Sequence, residues 1–266
     1  MLTAVKNNLR FIMLSLKYNL KACMQYKKSF IVQTIFMFMN NGFFLIFWNV
    51  VFGVNNGKIN SLEINDILYI WAISTASWGI SNFIFGGIGE LNQYILNGTL
   101  DTYLLQPKNM ILNIAMSKND FGACGDLLYG MVLAIYVSNS IFSFMKLLFY
   151  IILGSIITTS CLLIIRLLGF VIGDVEKIVH IYENNLFITL SIYPFEIFGG
   201  FIKAIMFTIV PVAYVVYFPT LLIKKFDLKI FAILIFVTIF FTTLAIVLFY
   251  KALKKYESGN NIAMKE

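Results

Sequence analysis

Charge is what this chain has least of. Only 12% of its 266 residues are Asp, Glu, Lys or Arg, against about 25% in an ordinary soluble domain, so water is not its main solvent. Histidine occurs once, as His180. One imidazole builds no zinc site unaided, and no G-x-S-x-G turn presents a nucleophile beside it. His180 therefore reads as a loop residue near Glu176 and Glu183. Cys23, Cys124 and Cys161 form no C-x-x-C pair and read as small apolar fillers, not a disulfide frame. No G-x-x-x-x-G-K-[ST] loop cradles phosphates; Gly86-Gly87-x-Gly89 lacks the lysine and reads as helix packing or a helix end. No linker, repeat or low-complexity stretch marks a second domain. These absences leave little room for catalysis.

What is present is apolar surface. Hydrophobic residues make up 60% of the chain, Phe alone occurs 27 times, and the mean hydropathy is +0.85. A bilayer core takes about 20 apolar residues of helix. Runs at roughly 30–53, 67–89, 121–140 and 146–172 meet that length, the last two holding Asp126 and Arg166. Runs this long without alternation exclude a barrel. Further runs at 184–202, 204–223 and 230–250 bring the count to seven. Both ends are basic, with lysines and one arginine from Lys6 to Lys28, then Lys251, Lys254 and Lys255. Positive-inside places both in the cytoplasm and requires an even number of spans.

The segment expected not to cross is 203–222, because Pro211 and Pro219 interrupt it and Tyr193-Pro194 and Gly199-Gly200 precede it. It reads as a re-entrant hairpin on the outer side, about 194–223. This leaves Lys224, Lys225 and Lys229 outside, so a seven-span chain or another non-crossing segment stays open. The expected fold is an all-α polytopic transmembrane bundle: six spans within 29–256, an N-terminal interfacial helix over 1–28 and a tail at 257–266. In that N-terminal helix Lys6, Arg10, Lys17 and Lys21 fall within an arc of about 60°. Val5, Leu9, Ile12, Leu16 and Leu20 form the neighbouring apolar stripe. The same lysines break any signal-peptide core, so the first apolar run acts as a signal-anchor. The net charge of +7 suits anionic lipid headgroups, and no nucleic acid is expected.

Charges within spans are functional hypotheses until explained. Arg166 is expected to snorkel to inner headgroups and Asp126 to stay wet near the third span's start. Glu196, beside Tyr193-Pro194, lines an outer exit path or sits in the interface.

The most informative connection is 90–120. Asn97-Gly98 breaks one short helix, Thr99 is placed to cap the next, and Pro107 ends it. Leu100, Tyr103, Leu104 and Leu105 are expected to form an apolar ridge with Asp101 beside it. A two-turn helix is not stable alone and must dock on a membrane or a partner.

The pattern Gly98-x-Leu100-Asp101-x-x-Leu104-Leu105-x-Pro107 resembles the coupling segment of type-2 ATP-binding-cassette exporter permeases. The likeness is to the six-span subfamily without a large extracellular domain. Tyr193-Pro194, Lys203, Ile209 to Ala213 and Tyr217-Phe218-Pro219 resemble that family's region before the last span. The resemblance implies an ATPase subunit as partner, holding the ATP and Mg, with no cofactor on this chain. It implies a second permease subunit, membrane lipids as surroundings, and residues 98–107 seated on the ATPase. Gln106 stands where many relatives carry a basic residue, removing one salt bridge. Cargo is expected against the first, second and fifth spans, with Phe43, Phe44, Phe47 and Trp48 as lining candidates. An ion-coupled transporter or channel, an intramembrane lipid enzyme, and a scaffold or immunity subunit remain alternatives. The cargo itself stays open.

Overall fold

A computed structural model describes residues 2–54, 58–59 and 62–256. The turn at Asn55-Asn56-Gly57, the tail 257–266 and the side chains of Val5, Lys6 and Leu9 lie outside the described residues. The chain is an all-α bundle apart from a two-residue ladder pairing β1 (Lys58–Ile59) with β2 (Leu62–Glu63).

Helix α1 (Leu2–Cys23) passes through one 3₁₀ turn into α2 (Lys27–Val54). Helix α3 (Ile64–Gly79) opens with a reciprocal capping box between Glu63 and Asp66 and widens to a π turn at Ile80–Ile84. Three short helices follow: α4 (Leu91–Leu96), α5 (Asp101–Leu104) and α6 (Met110–Ala115). Then come α7 (Gly122–Val137), α8 (Ile141–Arg166), α9 (Gly169–Ile172) and α10 (Glu176–His180). Helix α10 runs through a π segment, Ile181–Ile188, into α11 (Thr189–Ile192). After α12 (Gly200–Phe207) and α13 (Phe218–Lys224), α14 (Leu228–Leu253) closes the chain.

Among the described residues, four helices are long and apolar enough to cross a membrane: Arg10–Val54, Ile64–Ile84, Ile141–Ile172 and Leu228–Leu253. The third expected span is shorter, since the 16 residues of α7 reach about 24 Å at 1.5 Å per residue. The core is about 30 Å thick. Short helices are tolerated where protein surrounds them, and α7 is wedged between α2, α3 and α8. The fifth helix occupies 176–192 instead of 184–202, because the extended Tyr193 before Pro194 stops it early.

The bundle has two cores. The larger joins Ile67, Trp71, Tyr129, Tyr150, Phe187 and Val215. The smaller joins Leu91, Ile95 and Leu100 to Leu162, Leu163 and Phe249. The smaller core marks one end of the molecule. Helix α1 reaches that end through Asn19, whose Nδ2 donates to the Met116 carbonyl at 3.0 Å. The last turn of α14 reaches it through Phe249. Both described ends of the chain therefore lie beside the smaller core.

At the other end the chain folds into a hairpin. The break falls at Thr208–Val212, before α13; Pro211 is buried there. Pro219 breaks nothing, contrary to expectation, because a π turn over Ala213–Tyr217 carries the helix into α13 with the proline in its first turn. Phe195 stacks on Tyr217 at 4.1 Å, and Phe207 packs edge-on to Tyr214 and Phe218. Lys224 pairs with Asp66 at 2.7 Å, and Lys146 Nζ donates to the Leu222 carbonyl at 2.8 Å. Lys224, which counted against the hairpin, is thus neutralised by the start of α3.

Close helix approach rests on small residues. A Cβ on Gly130 would stand 2.5 Å from Ala76 N, and one on Gly79 2.5 Å from Leu127 N. Gly130→Ala is expected to lower the melting temperature in detergent by several degrees, on the scale of about 1–3 kcal/mol for overpacking. Gly42→Ala, with nothing within 4 Å, should leave it unchanged or slightly raised. Equal effects from both in a thermal-shift measurement would contradict this packing.

Candidate functional site

Two features stand out: an exposed ridge at the end marked by the smaller core, and a cleft within the bundle. The ridge begins where α4 stops. Gly98 takes φ +69°, a conformation suited to glycine, and the Leu100 N–H closes back on the Tyr94 carbonyl at 3.0 Å. Thr99 does not cap α5 with its side chain; its carbonyl accepts from Thr102 Oγ1 at 2.8 Å, and Leu100, already helical, holds the cap position.

The expected four-residue ridge divides. Leu100 is 0% exposed and Tyr103 half-buried, and both root α5 in the smaller core. Leu104 is exposed and Leu105 is 86% exposed. Five residues at 3.6 per turn separate Leu105 from Leu100 by about 140°, so no single face holds them all. Asp101 is half-buried beside Tyr256, where burial and the carboxylate push the phenol up to about 12. Gln106 accepts from Asn113 Nδ2 at 2.8 Å, so it braces α6, and Pro107 is exposed. Tyr94 hydrogen-bonds Ser117 at 2.9 Å and packs on Tyr103; burial pushes its phenol up to about 12. The result is a stiff platform carrying two unpartnered leucines.

The platform is tied to the fifth helix by polar contacts. Asn92, fully buried on α4, donates to Glu176 Oε1 at 3.3 Å. Arg166 does not snorkel to headgroups. It is 7% exposed and pairs with Glu183 Oε1 at 2.7 Å, because the π segment brings Glu183 to face the end of α8. His180 lies on helix α10, exposed, not in a loop.

The cleft, of about 230 Å³, lies among α2, α3, α7 and α11. Its walls combine Phe44, Trp71 and Trp78 with Asn40, Ser74 and Thr189. Phe44 packs on Trp71 at 5.2 Å. Asp126 is 4% exposed, not wet, and accepts from Asn41 Nδ2 at 2.6 Å. Its depth follows from the adjoining Gly125, whose Cβ would meet Thr34 and Met37 of α2, well beyond that helix's first turn. Of the other lining candidates, Trp48 is buried in the larger core against Tyr193, while Phe43 and Phe47 are exposed on α2 away from the cleft wall.

Tyr193 and Glu196 instead border a small cavity of about 30 Å³ beneath the hairpin. Pro194 is buried at its start. Asn41 and the serines of α3 drew no attention in the sequence. Their signal was three hydroxyls, Ser74, Ser77 and Ser81, at helical spacing in a charge-free run.

Breaking the buried Arg166–Glu183 pair by Glu183→Gln should destabilise the chain by about 3–5 kcal/mol, since it strands a charge. Arg166→Met with Glu183→Leu should recover most of that in thermal unfolding. A double variant no better than the single one would count against the pairing.

A family model described as ABC-2 family transporter protein matches residues 29–260. No curated protein and no solved structure matches the chain.

Proposed function

Because this chain belongs to the ABC-2 family of transporter proteins, a membrane-embedded permease of an ABC transporter, we propose that it exports an amphipathic substrate using ATP hydrolysed on a separate subunit. The supporting observation is α5: rooted through Leu100 and Tyr103, it offers Leu104 and Leu105 to a partner. Exposed leucines on a rigid, polar-braced platform are a docking feature, because burying one contributes about 1.5–3 kcal/mol. The platform lies at the end shared by both basic termini, which positive-inside assigns to the cytoplasm. The ATPase, with its ATP and Mg, docks there. The hairpin then faces outward, and a second permease copy or homologue completes the transporter.

Closure of the ATPase pair pushes on α5. The smaller core passes the displacement to α8 and α14, and the Asn92–Glu176 and Arg166–Glu183 contacts pass it to the fifth helix. That helix ends in α11 at the cleft. Opening and closing of the cleft moves the substrate.

Mild-detergent co-purification tests the reading. The wild-type chain should retain an ATPase subunit, and Leu104→Glu with Leu105→Glu should weaken that association about tenfold or more without lowering the permease's melting temperature. Full ATPase retention by the double variant removes the ridge from the interface. No ATPase on the wild type, with transport driven by an ion gradient, overturns the proposal.

A further inference from the structure

Asp126 has an unbalanced position. It is buried within the bundle on α7, and among the described residues no cationic side chain pairs with it; the ion pairs are Lys118–Glu90, Arg166–Glu183 and Lys224–Asp66. Its carboxylate accepts a hydrogen bond from the neutral amide of Asn41. A carboxylate in a low-dielectric site without a cation is strongly unfavourable, and intramembrane acids mark ligand or ion paths. The cleft beside it carries three aromatic rings, Phe44, Trp71 and Trp78, whose faces attract cations. Trp71 adds an independent sign. It is fully buried on the cleft wall, and its indole Nε1–H has no acceptor.

We propose that the cleft binds a cationic amphiphile, its ammonium or guanidinium on Asp126 and an acceptor oxygen of the same molecule on Trp71 Nε1. Asn41 holds the carboxylate toward the cleft, and Ser74 and Thr75 stand on the same wall. Phe44, Trp71 and Trp78 take the apolar part. The nearby π segment of the fifth helix ends at Ile188, itself on the cleft wall. This assignment rests on the permease reading and narrows its substrate class from amphipathic to amphipathic and positively charged.

The probe is dansylcadaverine, an amphiphile with one primary ammonium, compared with its neutral N-acetyl derivative. Each is titrated by dansyl fluorescence against the full chain in phosphatidylcholine nanodiscs, with empty nanodiscs subtracted. The wild type should bind the ammonium form about tenfold or more tightly than the acetylated form. Asp126→Asn should abolish that preference while leaving the weak binding of the neutral probe unchanged. Asp126→Glu should keep it. Trp71→Phe, which removes the donor but keeps a ring, should weaken both probes alike. Equal binding of the two probes by the wild type, or a preference that survives Asp126→Asn, overturns the assignment. The wild-type comparison needs no variant, so misfolding of Asp126→Asn does not shelter it. Nor does it need an ATPase: failed probe discrimination with ATPase association intact removes only the cation assignment, whereas lost ATPase association strikes the permease reading alone.

Discussion

Hydrocarbon offers no water to a polar group, so a hydroxyl in the bundle bonds a carbonyl of its own helix, as Thr75 and Thr158 do, or reaches across to a neighbour. Helix α3 and the π turn that continues it send three hydroxyls across to neighbours on successive turns. Ser74 bonds Ser191 of α11 at 2.9 Å, Ser77 donates to the Ile151 carbonyl of α8 at 3.1 Å, and Ser81 donates to the Ser155 carbonyl at 3.0 Å. Such bonds need near-contact of the backbones, and the glycines permit it: a Cβ on Gly154 would meet Ser77 Oγ at 2.6 Å. One helix is thereby fixed against the fourth, the fifth and, through Gly79 and Gly130, the third. The other positions follow from that seam.

The seam divides the molecule's work between its ends. Toward the end of the smaller core, α3 gives way to a π turn at Ile80–Ile84 and a 3₁₀ turn at Gly86–Glu90. A Cβ on Gly87 would collide with the Ile114 carbonyl, so the strip beneath α3 packs backbone to backbone against α6. Irregular turns of this kind collect at functional sites. Here they join the rigid serine seam to the platform bearing Leu104 and Leu105. The fifth helix repeats the arrangement, its π segment carrying the Arg166 contact at Glu183 and reaching the cleft at Ile188. Two of the four helices that border the cleft, α3 and the fifth, thus carry a π segment.

The helices themselves were legible, because charge-free runs report lipid directly and need no knowledge of neighbours. The break before α13 was legible from Pro211. The burial of charged residues was not. Asp126 and Arg166 were placed by their distance from the ends of their own runs, which predicts depth only for an isolated helix. In the fold their surroundings come from elsewhere in the chain: Asn41 lies 85 residues from Asp126, and Glu183 faces Arg166 from within a π segment that has no compositional signature. Leu105 was misplaced for a local reason. A four-residue helix is too short for an apolar cluster to define a face, so only the φ and hydrogen bonds at Gly98 and Leu100 decide which leucines turn inward.

The hairpin poses the reverse problem. Its helices α12 and α13, of 8 and 7 residues, are too short to be stable in isolation. Broken backbone at membrane depth survives only where protein covers it. The chain answers with a ring of aromatics and two lysines. Phe195, Phe207, Tyr217 and Phe218 fill the bend. Lys224 reaches Asp66, and Lys146 caps the carbonyl of Leu222, satisfying an acceptor that the end of α13 would otherwise leave open. Asp66 serves twice, since its carboxylate also accepts from the Glu63 N–H in the capping box of α3. The helix whose serine seam positions the bundle therefore begins at the residue that fastens the hairpin. From the hairpin the chain returns through α14 to the smaller core, beside both described ends.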